Sequence, residues 1–329
     1  MTASPLGPGA EFDLIRRLTA GVDDAPPGVE LGSGDDAAVL EGGWVVSVDL
    51  AVEGVHFRRE WLDVEEIGGR AVRAALSDLA AMAATPVGVL LSLAGSVDDY
   101  GDGTLEAVGR GGRAAAAACG ASVLGGDVTR SPRGLVIDVV AIGRTNRPAR
   151  RRGARPGDDL WVTGSLGLAA AVVTRLESGA PVGPRDRARF AHPRPRTAEA
   201  VWLAETGHLR ALIDLSDGLA GDAGHVAAAS GVRLTVEDDA VPVAAAAVDL
   251  VGAADARRLA LHGGEDYELL AVLAPEFDAH ADAFRKRFSK VALTRVGSVG
   301  AGEGVVLRTR GRERPMTGGF DHFDAGPST

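Results

Sequence analysis

Midway along the chain, residues 144–157 (RTNRPARRRGARPG) are crowded with Pro, Gly and Arg and carry no apolar period. A stretch of that kind connects folded units and cannot build one. It divides 329 residues into halves close to the usual domain size of about 150 residues, so domains over 1–147 and 148–329 are expected. Both halves read as mixed α/β and not as strict βαβ repeats. In the first, 11–20 reads as a short amphipathic helix and 21–34 as a Pro/Gly loop. Ala37–Leu40 and Trp44–Val48 form a hairpin turned at Gly42-Gly43. Residues 63–84 and 100–119 are helical, and Val87–Leu93, Val123-Leu124 and Leu135–Ile142 are strands. The second half has strands at Leu160–Thr163, 211–215, 232–236, 267–273, 291–297 and 304–309. Its helices are expected at 165–178, 197–206, 218–230 and 276–288.

Composition narrows the function classes. The apolar fraction is 46% and the charged fraction 24%, ordinary for a globular chain with ample core. A formal net charge of −10 argues against nucleic acid or an anionic membrane as partner. Cys119 is the only cysteine, which excludes an internal disulfide and a cysteine-based zinc cluster; it reads as a small buried hydrophobe. Met1–Ala10 lacks the basic and apolar regions of a signal peptide, and no run reaches the ~18 apolar residues of a membrane span. A cytoplasmic protein is expected.

Carboxylates sit beside glycine again and again. Asp35 and Asp36 follow Gly34, Asp127 follows Gly125-Gly126, and Asp214 and Asp217 stand in IDLSDG. Glu265 and Asp266 follow Gly263-Gly264, while Asp78 lies inside an Ala/Leu/Met stretch. Glycine admits close approach of a ligand to the backbone, and clustered oxygen donors suit hard cations such as Mg²⁺. The only lysines are Lys286 and Lys290, so metal and arginine must supply positive charge to any bound phosphate.

Each motif alone has a plain structural reading. LGSGDDA (31–37) superficially fits a dinucleotide fingerprint, but a loop precedes it, a strand follows, and its two acids repel a pyrophosphate. A solvated Asp-rich turn competes with metal binding there. Asp49, at the end of WVVSVD, could cap a turn, and His56 could be structural. Asp78 would be a costly burial unless it caps a new helix with Ser77 or ligates metal. Gly126-Asp127 could be a turn, Arg150–Arg152 an exposed linker, and Ser216 or Asp217 the cap of the following helix.

Taken in order, GSGDDAA, SVDLAVEGVHF, ALSDLAAMAA, LGGDVTR, ARPGDDLWVTG, IDLSDGL, GGEDYEL and GGFDHF resemble the thiamine-monophosphate kinase family over about Glu11 to Phe323. That family belongs with aminoimidazole ribonucleotide synthetase and its relatives. The resemblance implies an N-terminal α/β domain that binds ATP and Mg²⁺ and dimerises through its sheet. It implies a C-terminal α/β domain that completes the cleft. ATP and thiamine phosphate would bind between the two, giving thiamine diphosphate and ADP. Several Mg²⁺ ions would be held by Asp36, Ser47, Val48, Asp49, Asp78, Asp127, Asp214 and Asp217, Val48 through its carbonyl alone. ATP would meet Gly126, Asp127, Arg151 and Ser216, and thiamine phosphate would meet His56, Glu265 and Phe320. Transfer would be in line, without an acid/base residue.

Other readings stay open. Selenophosphate synthetase needs a reactive Cys or selenocysteine and an N-terminal lysine, and the hydrogenase-maturation enzyme needs a C-terminal cysteine; the sequence has none of these there. Aminoimidazole ribonucleotide synthetase is disfavoured by HGGEDYEL and GGFDHF. A non-catalytic nucleotide- or metal-binding regulator is the alternative from another class.

Overall fold

A computed structural model describes residues 7, 9–20 and 26–323; the signal-peptide reading of Met1–Ala10 falls for the most part outside them and the tail DAGPST wholly so. The chain forms two seven-stranded sheets, and residues 145–158 pass between them. The N-terminal sheet uses β1 Val29–Leu31, β2 Ala38–Leu40, β3 Trp44–Val52, β4 Thr85–Gly95, β5 Ser122–Gly125, β6 Val128–Arg130 and β7 Val136–Arg144. Its order is β1-β2-β3-β7-β4-β5, with β6 also beside β4. The hairpin at Gly42-Gly43 is present, both glycines at positive φ, and β2 pairs antiparallel with β3.

Helices α1 Ala10–Leu18, α2 Val64–Ala81, α3 Val97–Gly101 and α4 Thr104–Ala118 accompany this sheet. One sheet face buries Val45, Val89, Leu91, Ile137, Val139 and Ala141 in a core shared with Ile67, Val72, Leu76 and Leu79 of α2. Strand alternation sends the neighbouring residues to the other face. There Trp44, Val48 and Leu50 are exposed. Cys119 is half-buried against the core at the end of α4, less enclosed than expected.

The two helices approach backbone to backbone. A Cβ on Gly111 would overlap the Glu65 carbonyl, and one on Gly68 would overlap that of Val108. Gly111→Ala is expected to lower stability by about 1–3 kcal/mol in denaturant unfolding while helix content is kept. An unchanged midpoint would show that the helices separate freely.

The second sheet uses β8 Asp159–Thr163, β9 Leu209–Asp214, β10 Arg233–Glu237, β11 Leu269–Leu273, β12 Leu293–Gly300, β13 Gly304–Thr309 and β14 Arg312–Pro315. Its order is β14-β13-β10-β12-β8-β11-β9. Around it lie α5 Leu168–Glu177, α6 Pro184–Ala191, α7 Thr197–Glu205, α8 Leu219–Ser230, α9 Ala245–Val251, α10 Ala253–His262 and α11 Ala281–Arg287. The central strands β8 and β11 are buried at every residue, so their sequences show continuous apolar runs and no alternation.

Several boundaries move for identifiable reasons. Strand β3 continues to Val52, which puts Asp49 inside a ladder and not at its end. The helix expected over 100–119 breaks into α3 and α4, because Gly103 takes a left-handed conformation at the start of the latter. Strand β11 starts at Leu269 and not at residue 267, since Glu265 and Tyr267 have φ of 76° and 50°. Helices α6, α9 and α10 escaped the periodicity reading: α6 is mostly polar, and the Ala-rich start of α9 offers little contrast between faces.

Candidate active site between the domains

Helix α2 delivers the centre of the site. Asp63 and Glu66 form a reciprocal capping box at its start, and its apolar stripe fixes its rotation on the sheet. Arg70, Ala74 and Asp78 then fall four residues apart on one face, all toward the second domain. Asp78 lies within an unbroken helix, so it caps no new one. Its carboxylate accepts the Ser47 hydroxyl, which reaches it from β3. The adjacent Ser77 hydroxyl donates to Asp214 Oδ2 at 2.6 Å, joining the domains at the end of β9.

Further acids gather around this seam. Arg151 donates its amide to Asp35 Oδ1 at 3.1 Å and its guanidinium to Asp36 Oδ1 at 2.7 Å. Asp222, on α8 and buried, accepts the Asp217 amide on Oδ2 at 3.3 Å. That helix begins at Gly218 with no side-chain cap, so neither Ser216 nor Asp217 plays the structural part open to it. Burial, then mutual repulsion, raises Asp35 and Asp214 to about 7. Asp217 is also raised to about 7 by burial and the neighbouring acids, and Asp78 and Asp222 go well above the usual range for the same reasons. Asp49 is raised chiefly by burial. The protein thus holds carboxylates together against their electrostatic preference.

A cleft of about 530 Å³ runs from Asp49, Asp78, Asp214, Ser216 and Asp217 to His56, Glu265 and Phe320. At this second end, His56 Nδ1 accepts the Val52 amide at 3.0 Å, which leaves Nε2–H as its donor. Burial and the nearby His322 lower its pKa to about 4, so it is neutral at physiological pH. Glu265 pairs with buried Arg70, whose guanidinium lies 4.1 Å over the Phe190 ring. Phe320 is 52% exposed, and its amide donates to the Asp217 carbonyl at 2.9 Å. A polar rim with one uncovered aromatic face suits a cationic heteroaromatic ligand.

Two of the residues expected from sequence, Gly126 and Asp127, lie elsewhere, and a third, Val48, has only its backbone beside Ser47 and Asp49. Val48 is 65% exposed on the opposite sheet face from Ser47 and Asp49, so its side chain contributes nothing to the cleft. Gly126 and Asp127 occupy the loop between β5 and β6, with Asp127 exposed. From β3, that loop is three strand steps across the sheet, ~14 Å at the usual ~4.8 Å spacing. Gly126 has φ 153°, and a Cβ there would strike the Leu91 carbonyl. Conversely, Arg70, Asp222, Phe190 and Tyr267 belong to the site although sequence reasoning missed them. Arg70 and Asp222 share the signal that marks Asp78, a charge within a run of small apolar residues on a helix.

The donor set admits a test for metal. Among the described residues, no three His, Cys, Asp or Glu side chains are grouped to enclose an ion by themselves. Mg²⁺ is commonly held by one or two carboxylates, water and substrate phosphates, so an open arrangement of acids fits it. The buried Asp36 Oδ2 accepts no hydrogen bond, which leaves a hard oxygen donor available beside the seam. The residues fit Mg²⁺ carried in with a phosphate ligand.

Comparison with known proteins agrees along nearly the whole length. The AIR synthase related protein model matches with its N-terminal domain over residues 34–145 and its C-terminal domain over 155–310. Thiamine-monophosphate kinase of Salmonella typhimurium is 34% identical over 326 residues, covering 95% of this chain and 98% of that protein. The chain belongs to the thiamine-monophosphate kinase family. Its two-domain AIR synthase-like α/β fold matches the solved thiamine-monophosphate kinase of Stenotrophomonas maltophilia K279a, with 35% identity and TM-score 0.74 over 91% of this chain and 96% of that one. It also matches AaThiL complexed with AMPPCP and TMP, with 28% identity and TM-score 0.78 over 95% and 96% of the two chains.

Proposed function

We propose that this chain transfers the γ-phosphoryl group of ATP to thiamine phosphate, forming thiamine diphosphate and ADP as the last step of thiamine diphosphate biosynthesis. One observation carries the reading: a cleft with carboxylates at one end and a neutral histidine, a carboxylate and an exposed aromatic ring at the other. The family relative bound to AMPPCP and TMP supports it.

In the direct in-line reaction, the bond from the γ-phosphorus to the β–γ bridging oxygen breaks as one forms to an oxygen of thiamine phosphate. That oxygen is already ionised near neutral pH, its second pKa being about 6, so no side chain removes a proton. Asp36, Ser47, Asp49, Asp78, Asp214 and Asp217 are the residues of this chain that would hold several Mg²⁺ ions. Bound Mg²⁺ supplies neutralisation of phosphate charge. Arg151 and Ser216 orient the triphosphate, and Arg151 is kept in place by Asp35 and Asp36. His56, Glu265 and Phe320 hold the thiamine moiety, with the His56 Nε2–H as a neutral donor that does not repel its cation. Alignment of two anions is the main contribution.

Val48 would offer Mg²⁺ only its carbonyl, while Gly126 and Asp127 enter through the homodimer. The exposed sheet face bearing Trp44, Val48 and Leu50 is the surface on which a second copy would pack, in the cytoplasm. Gly126 and Asp127 then serve ATP and metal in the partner's cleft. Mixing Asp49→Ala with Asp127→Ala chains should restore part of the activity that each variant lacks. If the mixture stays inactive after subunit exchange, the sites do not share residues.

The functional test is ADP release with thiamine phosphate, with other phosphorylated acceptors, and with none. Thiamine phosphate alone should support turnover, with one thiamine diphosphate per ADP. Turnover with another acceptor would assign a different reaction, and tight binding without turnover would favour a regulator.

A further inference from the structure

Arg151 turns to Asp35 and Asp36 at the acidic seam, but the arginines beside it line a different cavity. Arg147, Arg150, Arg152 and Arg210 line a space of about 310 Å³ together with Ala149 and Leu209, where the connection between domains meets β9. The backbone here is anchored on both sides. The Ala149 amide donates to the Met82 carbonyl at 3.1 Å, and the Leu212 amide donates to the Arg150 carbonyl at 2.9 Å.

These guanidiniums are poorly neutralised. Among the described residues, Arg147, Arg150 and Arg152 form no ion pair, and Arg210 has only Asp158, at 3.8 Å. The Arg210 Nε is buried and donates to nothing. Four arginines therefore line a cavity with no carboxylate on its wall, in a protein whose net charge is −10. Guanidinium forks match phosphate oxygens two at a time, and mutual repulsion among them is relieved by an anion of several charges.

We propose that this cavity is a binding site for an oligophosphate anion, separate from the catalytic cleft. The small Ala204 and Gly207 on its wall leave room between the arginines, and the local charge surplus fits a diphosphate better than a singly charged ion. Free diphosphate and the diphosphate group of a nucleotide or cofactor share that chemistry.

The test is isothermal titration of the full-length chain with inorganic diphosphate in magnesium-free buffer containing chelator. Wild type and the cleft variant Asp214→Asn should bind alike, while R150Q/R152Q should bind at least tenfold more weakly and unfold at the wild-type temperature. R150K/R152K should fall between them, since lysine keeps charge but loses the fork. Thiamine diphosphate and ADP form the second arm: tighter binding than inorganic diphosphate assigns an organic ligand, and equal binding assigns the phosphates alone. Wild-type affinity in R150Q/R152Q, or diphosphate binding no tighter than sulfate, overturns the proposal. Because the cleft variant is included, this result is independent of the proposed kinase reaction.

Discussion

Asp214→Asn is expected to abolish phosphoryl transfer and yet make the metal-free protein more stable. Asp214 is 3% exposed, beside Asp78 and Asp217, and burial with repulsion raises it to about 7. An acid whose folded pKa exceeds its unfolded value destabilises the fold once pH exceeds the unfolded value. The penalty is absent below about pH 4 and grows until about pH 7, by roughly 1.4 kcal/mol for each step of one in pH. Stability of the metal-free wild type should therefore fall across that window, and fall less steeply in the variant. Asparagine keeps an acceptor for the Ser77 hydroxyl, so the inter-domain hydrogen bond survives. Relief of that penalty, about 4 kcal/mol, less the cost of burying the asparagine amide, about 1–3 kcal/mol, leaves a gain on the order of 1–3 kcal/mol expected at about pH 7.5 by denaturant unfolding in chelator. Mg²⁺ with a non-hydrolysable ATP analogue should stabilise the wild type by mass action and the variant little. Turnover should drop about 10³-fold or more, equivalent to roughly 4 kcal/mol of lost transition-state stabilisation. A variant less stable than wild type in chelator, or one that retains turnover, would remove the basis for a strained acidic seam.

The second large effect is expected from Arg70→Met. Arg70 is 5% exposed; it pairs with Glu265, donates to the Phe190 carbonyl and lies over the Phe190 ring. Removing one partner of a buried pair leaves the other charge uncompensated, at about 3–5 kcal/mol when burial is complete. Glu265 is 28% exposed at its side chain, so solvent reduces this to about 2 kcal/mol. Glu265 also has φ 76°, a conformation that non-glycine residues hold only when their surroundings impose it. Without Arg70 the loop should relax. KM for thiamine phosphate should rise tenfold or more while KM for ATP stays near wild type. Adding Glu265→Gln should recover stability but not affinity, which separates loss of the charge pair from loss of the recognition geometry. An equal rise in both KM values would instead mean that Arg70 acts on the acidic seam through Asp49.

Much of this was readable from residue order. The break at 144–157, the hairpin at Gly42-Gly43, α2 and the principal strands follow from periodicity and turn chemistry, which are local properties. The acids of the seam were visible for a similar reason: a carboxylate beside glycine or within an apolar helix stands out against its neighbours. Elements without local contrast were missed, including α6 and the Ala-rich α9, although α6 brings Phe190 under Arg70. Nothing local marks that β3 runs past Asp49 to Val52, because its ladder partner β7 determines how far that strand continues.

The sequence by itself determined the inventory: two α/β units, oxygen donors without cysteine, arginine in place of lysine, and the order of motifs that marks the family. Only tertiary structure decided which members of that inventory meet. It joined Ser77 to Asp214 across 137 residues, turned Arg151 toward Asp36 while its neighbours line another cavity, and left Asp127 on the far side of a sheet. Local patterning records what each short segment prefers, whereas the repulsion and burial that act on Asp78, Asp214 and Asp217 arise between segments, once packing has removed the water that would screen them.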